Sequence, residues 1–133
     1  MILSVKTRET TELVDITSNI NRLVQESGVD QGLCMLYVPH TTAAVTINES
    51  ADPSVKSDML MIINQIIPWK ANYRHLEGNS AAHIKTTLLG SSELIAIENQ
   101  QLVLGTWQGI FFCEFDGPRN RKLQVRILEG NFR

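Results

Sequence analysis

Two cysteines, four prolines and an aromatic fraction of 6% leave this 133-residue chain short of the devices that small proteins use in place of a core. Cys34 and Cys113 each sit inside an apolar run, with no second cysteine or histidine at metal-binding spacing. Neither a disulfide framework nor a structural zinc knot is expected, and both thiols read as buried and reduced. The start, Met1 to Arg8, lacks the charged-then-apolar pattern of a secretion signal. Reduced thiols and no such signal make a cytoplasmic location the expectation. No apolar run approaches the ~20 residues of a membrane span, so no membrane association is expected. Excess positive charge is also missing: 12 Lys and Arg stand against 14 Asp and Glu, for a net charge of −2 and a pI near 5.9. A nucleic-acid binder needs a concentrated basic face. Here the one basic cluster, Arg119, Arg121, Lys122 and Arg126, has Asp116 and Glu129 as neighbours and reads mostly as a solvated hairpin edge. Nucleic acid is therefore not an expected partner.

What is present suffices for a core. The apolar fraction is 43% and the charged fraction 20%, as in globular proteins. A chain of this length makes one domain, 1–133, and buries roughly two-thirds of its unfolded surface. Short strands are expected over 2–6 and 12–15. Ile16, Ile20, Leu23 and Val24 then recur at helical spacing, and Gly28 sits where a left-handed helix end belongs. Leu33 to Val38 is apolar throughout and predicts a central strand covered on both faces. Next, Ala43, Val45 and Ile47 alternate with Thr42, Ala44, Thr46 and Asn48. Asp52-Pro53 starts a helix whose buried stripe should be Val55, Met59, Ile62, Ile63 and Ile66, ended by Pro68. After a loop over 69–77, Asn79 or Ser80 caps a helix closed by Gly90. Strands over 93–97, 102–106, 109–115 and 123–128 complete the chain, with Asp116-Gly117-Pro118 as the turn of a final hairpin. Short connections without a βαβ rhythm predict an α+β fold, an antiparallel β-sandwich with flanking helices.

The chemistry-bearing residues fall in three groups. His40, His75 and His83 are the only histidines, each in a polar setting of small residues. They could converge on one metal ion with an open position, or they could be independent hydrogen-bonding histidines. Glu49, Asp52, Asp58 and Glu77 stand near them in sequence as possible ligands or proton acceptors, although helix capping alone explains Asp52. The second group is Gly105-Thr106-Trp107-Gln108-Gly109, where two glycines interrupt a strand pattern. It predicts a bulge, with Trp107 either plugging the core or facing a ligand. The third is the helix start at Gly78-Asn79-Ser80. Its free N–H groups suit phosphate, and Arg119 on the Gly117-Pro118-Arg119-Asn120 turn could add a bidentate contact.

His40-Thr41-Thr42 through Glu49, the Asp52/Asp58 pair, His75-Leu76-Glu77-Gly78-Asn79-Ser80 through Lys85, and Leu104-Gly105-Thr106-Trp107-Gln108-Gly109 with Glu114 to Arg119 recur together in this order. In that combination the chain resembles the YjbQ-like family over nearly its whole length. The resemblance implies a β-sandwich with flanking helices assembled as a homotrimer. It also implies a histidine-lined pocket that binds a divalent metal (zinc or magnesium) or an anion. The activity it implies is that of a thiamine-phosphate synthase, a transferase joining a pyrimidine diphosphate to a thiazole phosphate with release of pyrophosphate. On that reading His40, His75 and His83 hold the metal, and Glu49, Asp58 and Glu77 do acid–base work. Asn79, Ser80, Thr106, Trp107, Gln108 and Arg119 bind a phosphorylated small molecule, with Trp107 or Tyr73 stacking on a ring. The alternative is a non-catalytic module that binds a metal or phosphorylated metabolite in the same pocket.

Overall fold

The computed structural model describes residues 1–131. In chain order it comprises β1 (Ile2–Lys6), β2 (Glu12–Asp15), α1 (Thr17–Ser27), β3 (Gly32–Tyr37), β4 (Ala43–Glu49), α2 (Pro53–Ile66), α3 (Ser80–Leu89), β5 (Ser92–Glu98), β6 (Gln101–Leu102), β7 (Gln108–Glu114) and β8 (Asn120–Glu129). The strands form two antiparallel sheets, one ordered β1-β8-β3-β5-β6 and one ordered β2-β7-β4. This is the α+β sandwich that the alternating patterns predict. The larger core lies between the sheets, where Leu36, Val45, Phe112, Leu123 and Val125 meet Ile20 and Val24 of α1. A smaller cluster on the far face of the three-stranded sheet joins Phe111, Cys113 and Phe115 to α2 and α3. Two stacked cores explain why β7 is almost wholly buried: its alternate side chains enter different cores.

Local signals place the helix ends well. Gly28 closes α1 at φ 72°, and Asp52 caps α2 by accepting the Ser54 N–H at 2.9 Å. Both cysteines are buried and free, and burial raises the Cys34 thiol pKa to about 11 and pushes Cys113 higher still.

Four expectations are corrected. β3 is central, yet only one of its faces is covered: Cys34 and Leu36 are buried while Tyr37 is exposed, because no helix lies over the outer face of the larger sheet. No residue of α2 is fully buried, and Ile62 and Ile66 face outward, since the helix meets the small core only through Met59, Leu60 and Ile63. The strand expected over 102–106 shrinks to Gln101–Leu102, pairing only with the end of β5. Finally, β7 and β8 are not a hairpin. Asp116-Gly117-Pro118 carries the chain from one sheet to the other, and a Cβ on Gly117 would lie 2.2 Å from the Glu9 carbonyl oxygen. That close approach is what the glycine is for.

Candidate functional site

At the crossing between the sheets, one end of the sandwich opens into a cleft of about 500 Å³. Its walls come from the segment between β3 and β4 (Pro39 to Thr42), the loop before α3 (His75, Glu77), the start of α3 (Asn79, His83) and the crossing itself (Asp116, Arg119, Arg121). All three histidines line it. His75 and His83 meet edge to face, with ring centroids 5.7 Å apart and planes at 88°. Glu77 Oε2 stands 4.0 Å from His75 Nε2.

The wall on the His40 side rests on a buried ion pair. β7 ends on Glu114, which is wholly buried, and Arg121 at the start of β8 is 5% exposed. The Arg121 guanidinium grips both carboxylate oxygens of Glu114, with Nε donating to Oε1 at 2.9 Å, and Nη2 also donates to the Thr42 hydroxyl at 2.8 Å. Thr7 donates to the same carboxylate at 2.7 Å, and so does the Asp116 N–H at 3.1 Å. Burial alone would raise the Glu114 pKa. The donors from Arg121, Thr7 and Asp116 outweigh it and hold the carboxyl below the usual range. Sequence reasoning missed this pair. Two signals were there: Glu114 is the one charge in an otherwise apolar run, and Arg121 is in phase with the buried Leu123 and Val125.

His40 is fixed from the opposite side. β3 stops pairing with β8 at Tyr37, opposite Gln124, so the Lys122 N–H has no strand acceptor there. His40 Nε2 accepts it at 3.0 Å. That nitrogen therefore carries no proton and the other, Nδ1, is the donor of the neutral ring. Burial, then the Arg121 guanidinium, holds the His40 pKa below its ordinary value.

The third wall ties α3 to the crossing. Asn79 is the residue before α3 but makes no side-chain cap. Its Nδ2 donates instead to Asp116 Oδ2 at 2.9 Å, and its Oδ1 is buried without a partner. The N–H groups opening α3 are thus left without a side-chain acceptor. Arg119 turns back on its own segment, donating to the Asp116 carbonyl at 2.8 Å and to Oδ2 at 3.2 Å.

Of the residues singled out from sequence, His40, His75, Glu77, Asn79, His83 and Arg119 line this cleft. Ser80 and Tyr73 border an adjoining hollow that shares His75 and His83. Five fall elsewhere. Glu49 ends β4 opposite Gln108, six residues along the strand from Ala43, which puts it and the Thr106–Gln108 turn about 20 Å from the cleft. Trp107 does not plug the core; it is 64% exposed. Asp58 is exposed on α2, in a separate hollow with Val55, Met59, Ile62 and Ile63. The basic cluster is not all solvated edge either, since Arg121 is internal. His40 Nε2 is engaged by Lys122, and among the described residues no three His, Cys, Asp or Glu side chains stand close enough to hold one ion.

Among the described residues no helix is long and apolar enough to cross a membrane. A family model described as UPF0047 protein YjbQ-like matches residues 1–130. The chain belongs to that family. Within the UPF0047 family, the protein YugU of Bacillus subtilis is 48% identical over 127 residues, covering 95% of this chain and 96% of its own. The protein MJ1081 of Methanocaldococcus jannaschii is 54% identical over 124 residues, covering 93% and 90%. The crystal structure of a YjbQ/UPF0047 protein from Clostridium acetobutylicum superposes with a TM-score of 0.94 at 51% identity, covering 96% of this chain and 99% of that one. A conserved hypothetical protein from Thermus thermophilus gives 0.90 at 42% identity, again covering 96% and 99%. The YjbQ-like fold is therefore shown by both sequence and structure.

Proposed function

We propose that the histidine-lined cleft binds a phosphorylated small molecule and catalyses a proton-assisted group transfer on it. One observation carries this reading: three separate segments bring every histidine of the chain to one cleft, beside two arginines and an α3 start without a side-chain cap. Phosphate oxygens would take the N–H groups of α3 and the outward-facing edge of Arg119. His75 or His83 would give or take the proton, with Glu77 orienting His75. His40, neutral and braced by Lys122, would act as a donor through Nδ1.

Within this proposal we take the transfer to be thiamine-phosphate synthesis, the activity that the resemblance implies. A thiazole phosphate attacks the methylene carbon of a pyrimidine diphosphate. The carbon–oxygen bond breaks, and pyrophosphate leaves with the electron pair. In the cleft the departing pyrophosphate would be neutralised by the arginines and the α3 N–H groups. We place the active form as a homotrimer, which would cover the outer face of the five-stranded sheet, where Ile2, Leu94 and Leu128 are exposed, and the outer stripe of α2.

The test is calorimetric titration of wild type and Arg119→Ala with pyrophosphate, followed by a turnover assay on the two thiamine precursors. Arg119 already shares Asp116, so its loss should weaken binding by about threefold to tenfold rather than abolish it. Failure of wild type to bind pyrophosphate removes the phosphate reading. Binding without turnover on any phosphorylated heterocycle leaves the non-catalytic module as the function. A monomer at micromolar concentration in sedimentation removes the trimer.

A further inference from the structure

Both arginines of the cleft are already paired, Arg121 with Glu114 and Arg119 with Asp116, and Glu77 at the rim adds a negative charge. A third guanidinium lies just outside. Arg74 lines the adjoining hollow of about 370 Å³ with Tyr73, His75, Ser80, His83 and Ile84. His75 and His83 belong to both spaces, so this imidazole pair is the partition between Arg74 and Arg119. Arg74 is exposed, and among the described residues no ion pair or hydrogen bond engages its guanidinium. Its stretch of chain is cationic as well: from Met59 to Leu76 the sequence has Lys70 and Arg74 and no Asp or Glu, in a chain of net charge −2.

Arg74 rides on a segment held at its two ends. Ile67 and Asn79 are both 8% exposed, and between them every residue of 68–78 is exposed except the half-buried Tyr73. Among the described residues the hydrogen bonds of 68–78 are internal. The Tyr73 hydroxyl donates to the Pro68 carbonyl at 2.6 Å, and the Gly78 N–H to the His75 carbonyl at 3.2 Å. Gly78, at φ 75° and with nothing within 4 Å of where a Cβ would stand, is an unhindered pivot beside Asn79. The helix at the other end, α2, has no fully buried residue. Segments with so few buried contacts open at little free-energy cost, and they supply the moving parts of binding sites.

We infer that Arg74 is the principal anion-holding residue of the site, and that residues 68–78 are the arm that carries it toward the cleft when an anion binds. This rests on the phosphate reading of the cleft and names the free cation that the cleft itself lacks. An anion against the His75–His83 pair attracts the one guanidinium lining either space that, among the described residues, has no carboxylate to release first. Arg119 must give up part of its hold on Asp116 to reach the same anion, whereas Arg74 gives up only the freedom of the arm. The planar fork of Arg74 suits two oxygens of one phosphate group. The arm also carries His75 and Glu77, so the movement that brings the guanidinium presses an imidazole against the same anion.

The test is calorimetric titration of the full chain with pyrophosphate, comparing wild type with Arg74→Ala, Arg74→Lys and Arg119→Ala. Arg74→Ala should weaken binding by about tenfold to a hundredfold, more than Arg119→Ala does, and leave Tm unchanged because the side chain has no partner in the free protein. Arg74→Lys should recover only part of the loss, since it restores the charge but not the fork. Hydrogen exchange reads the arm separately. The amides of 69–77 should slow when wild type is saturated with pyrophosphate and stay fast in Arg74→Ala at the same occupancy. Equal affinities of wild type and Arg74→Ala would overturn the inference and leave the phosphate reading standing. Exchange at 69–77 that is equally fast with and without pyrophosphate would overturn the movement of the arm. Wild type that binds no pyrophosphate would remove the phosphate reading, and this inference with it.

Discussion

Cutting the Glu114–Arg121 pair on one side should be the most damaging single change near the cleft. Both groups are buried, and the carboxylate takes four donors, two from the guanidinium and one each from Thr7 and the Asp116 N–H. Arg121→Met leaves Glu114 as an uncompensated buried charge, a loss of ~3–5 kcal/mol in comparable cases. At about 2.1 cal/mol/K per residue, 133 residues give an unfolding entropy of roughly 0.28 kcal/mol/K, so Tm should fall by about 11–18 °C. Glu114→Gln should cost less, since the amide oxygen still accepts one guanidinium bond. The pair Glu114→Gln/Arg121→Met should recover ~1–3 kcal/mol relative to the sum of the singles. Urea unfolding of the four proteins measures the coupling, and additivity within ~0.5 kcal/mol would refute the pair as the support of this wall. The same pair sets an acid limit. The folded Glu114 pKa lies below its unfolded value, so the stability it contributes is present above the unfolded value of ~4.3 and is lost as pH falls through the folded pKa. Arg121→Met should abolish that part of the acid transition.

Three further outcomes are expected. Lys85 is 1% exposed, donates to Asn64 Oδ1 at 2.7 Å and faces the Phe115 ring, with no carboxylate partner among the described residues; burial lowers its pKa. Lys85→Met should therefore leave stability unchanged or raise it by ~1 kcal/mol, whereas Lys85→Ala should cost ~2–5 kcal/mol in denaturant unfolding through the cavity it leaves. The His40 imidazole should titrate below the ordinary ~6.5 by NMR, and its contribution to stability is present above that value and lost as pH falls through the folded pKa. Gly109→Ala puts a methyl 2.5 Å from Ser50 Cβ and should cost ~1–3 kcal/mol by thermal unfolding, because β7 cannot shift without breaking its register with β4.

The elements whose signals are local were legible. Gly28, Asp52-Pro53 and the alternation of β8 each act within a few residues, and the α+β sandwich follows from them. What depends on long-range partners was not. The apolar stripe of α2 shows which side of a helix is hydrophobic, but not whether the molecule has anything to lay against it. Asp116-Gly117-Pro118 has the composition of a hairpin turn, and nothing local distinguishes a hairpin from a crossing between sheets. Strand periodicity likewise assigns a face and is silent about position along the strand. Glu49 and His40 flank one strand, and the fold sends them to opposite ends of it.

The cleft's charges constrain how it can bind. Arg121 is neutralised by Glu114 beneath it, and Arg119 shares its guanidinium with Asp116. Glu77 adds a further negative charge at the rim. The preformed field is therefore not strongly positive, and a phosphate could not be held by the arginines alone. The remaining donors are neutral or conditionally charged: the α3 N–H groups, freed because Asn79 bonds Asp116 rather than capping, and the imidazoles. An anion bound at the start of α3, as proposed, would stabilise the protonated form of whichever histidine it touches, and so would load the proton where a leaving phosphate needs it. On the proposed function, binding and acid catalysis would be the same electrostatic event. If the proposed transfer occurs, His75→Ala or His83→Ala should therefore lower turnover more steeply than Arg119→Ala.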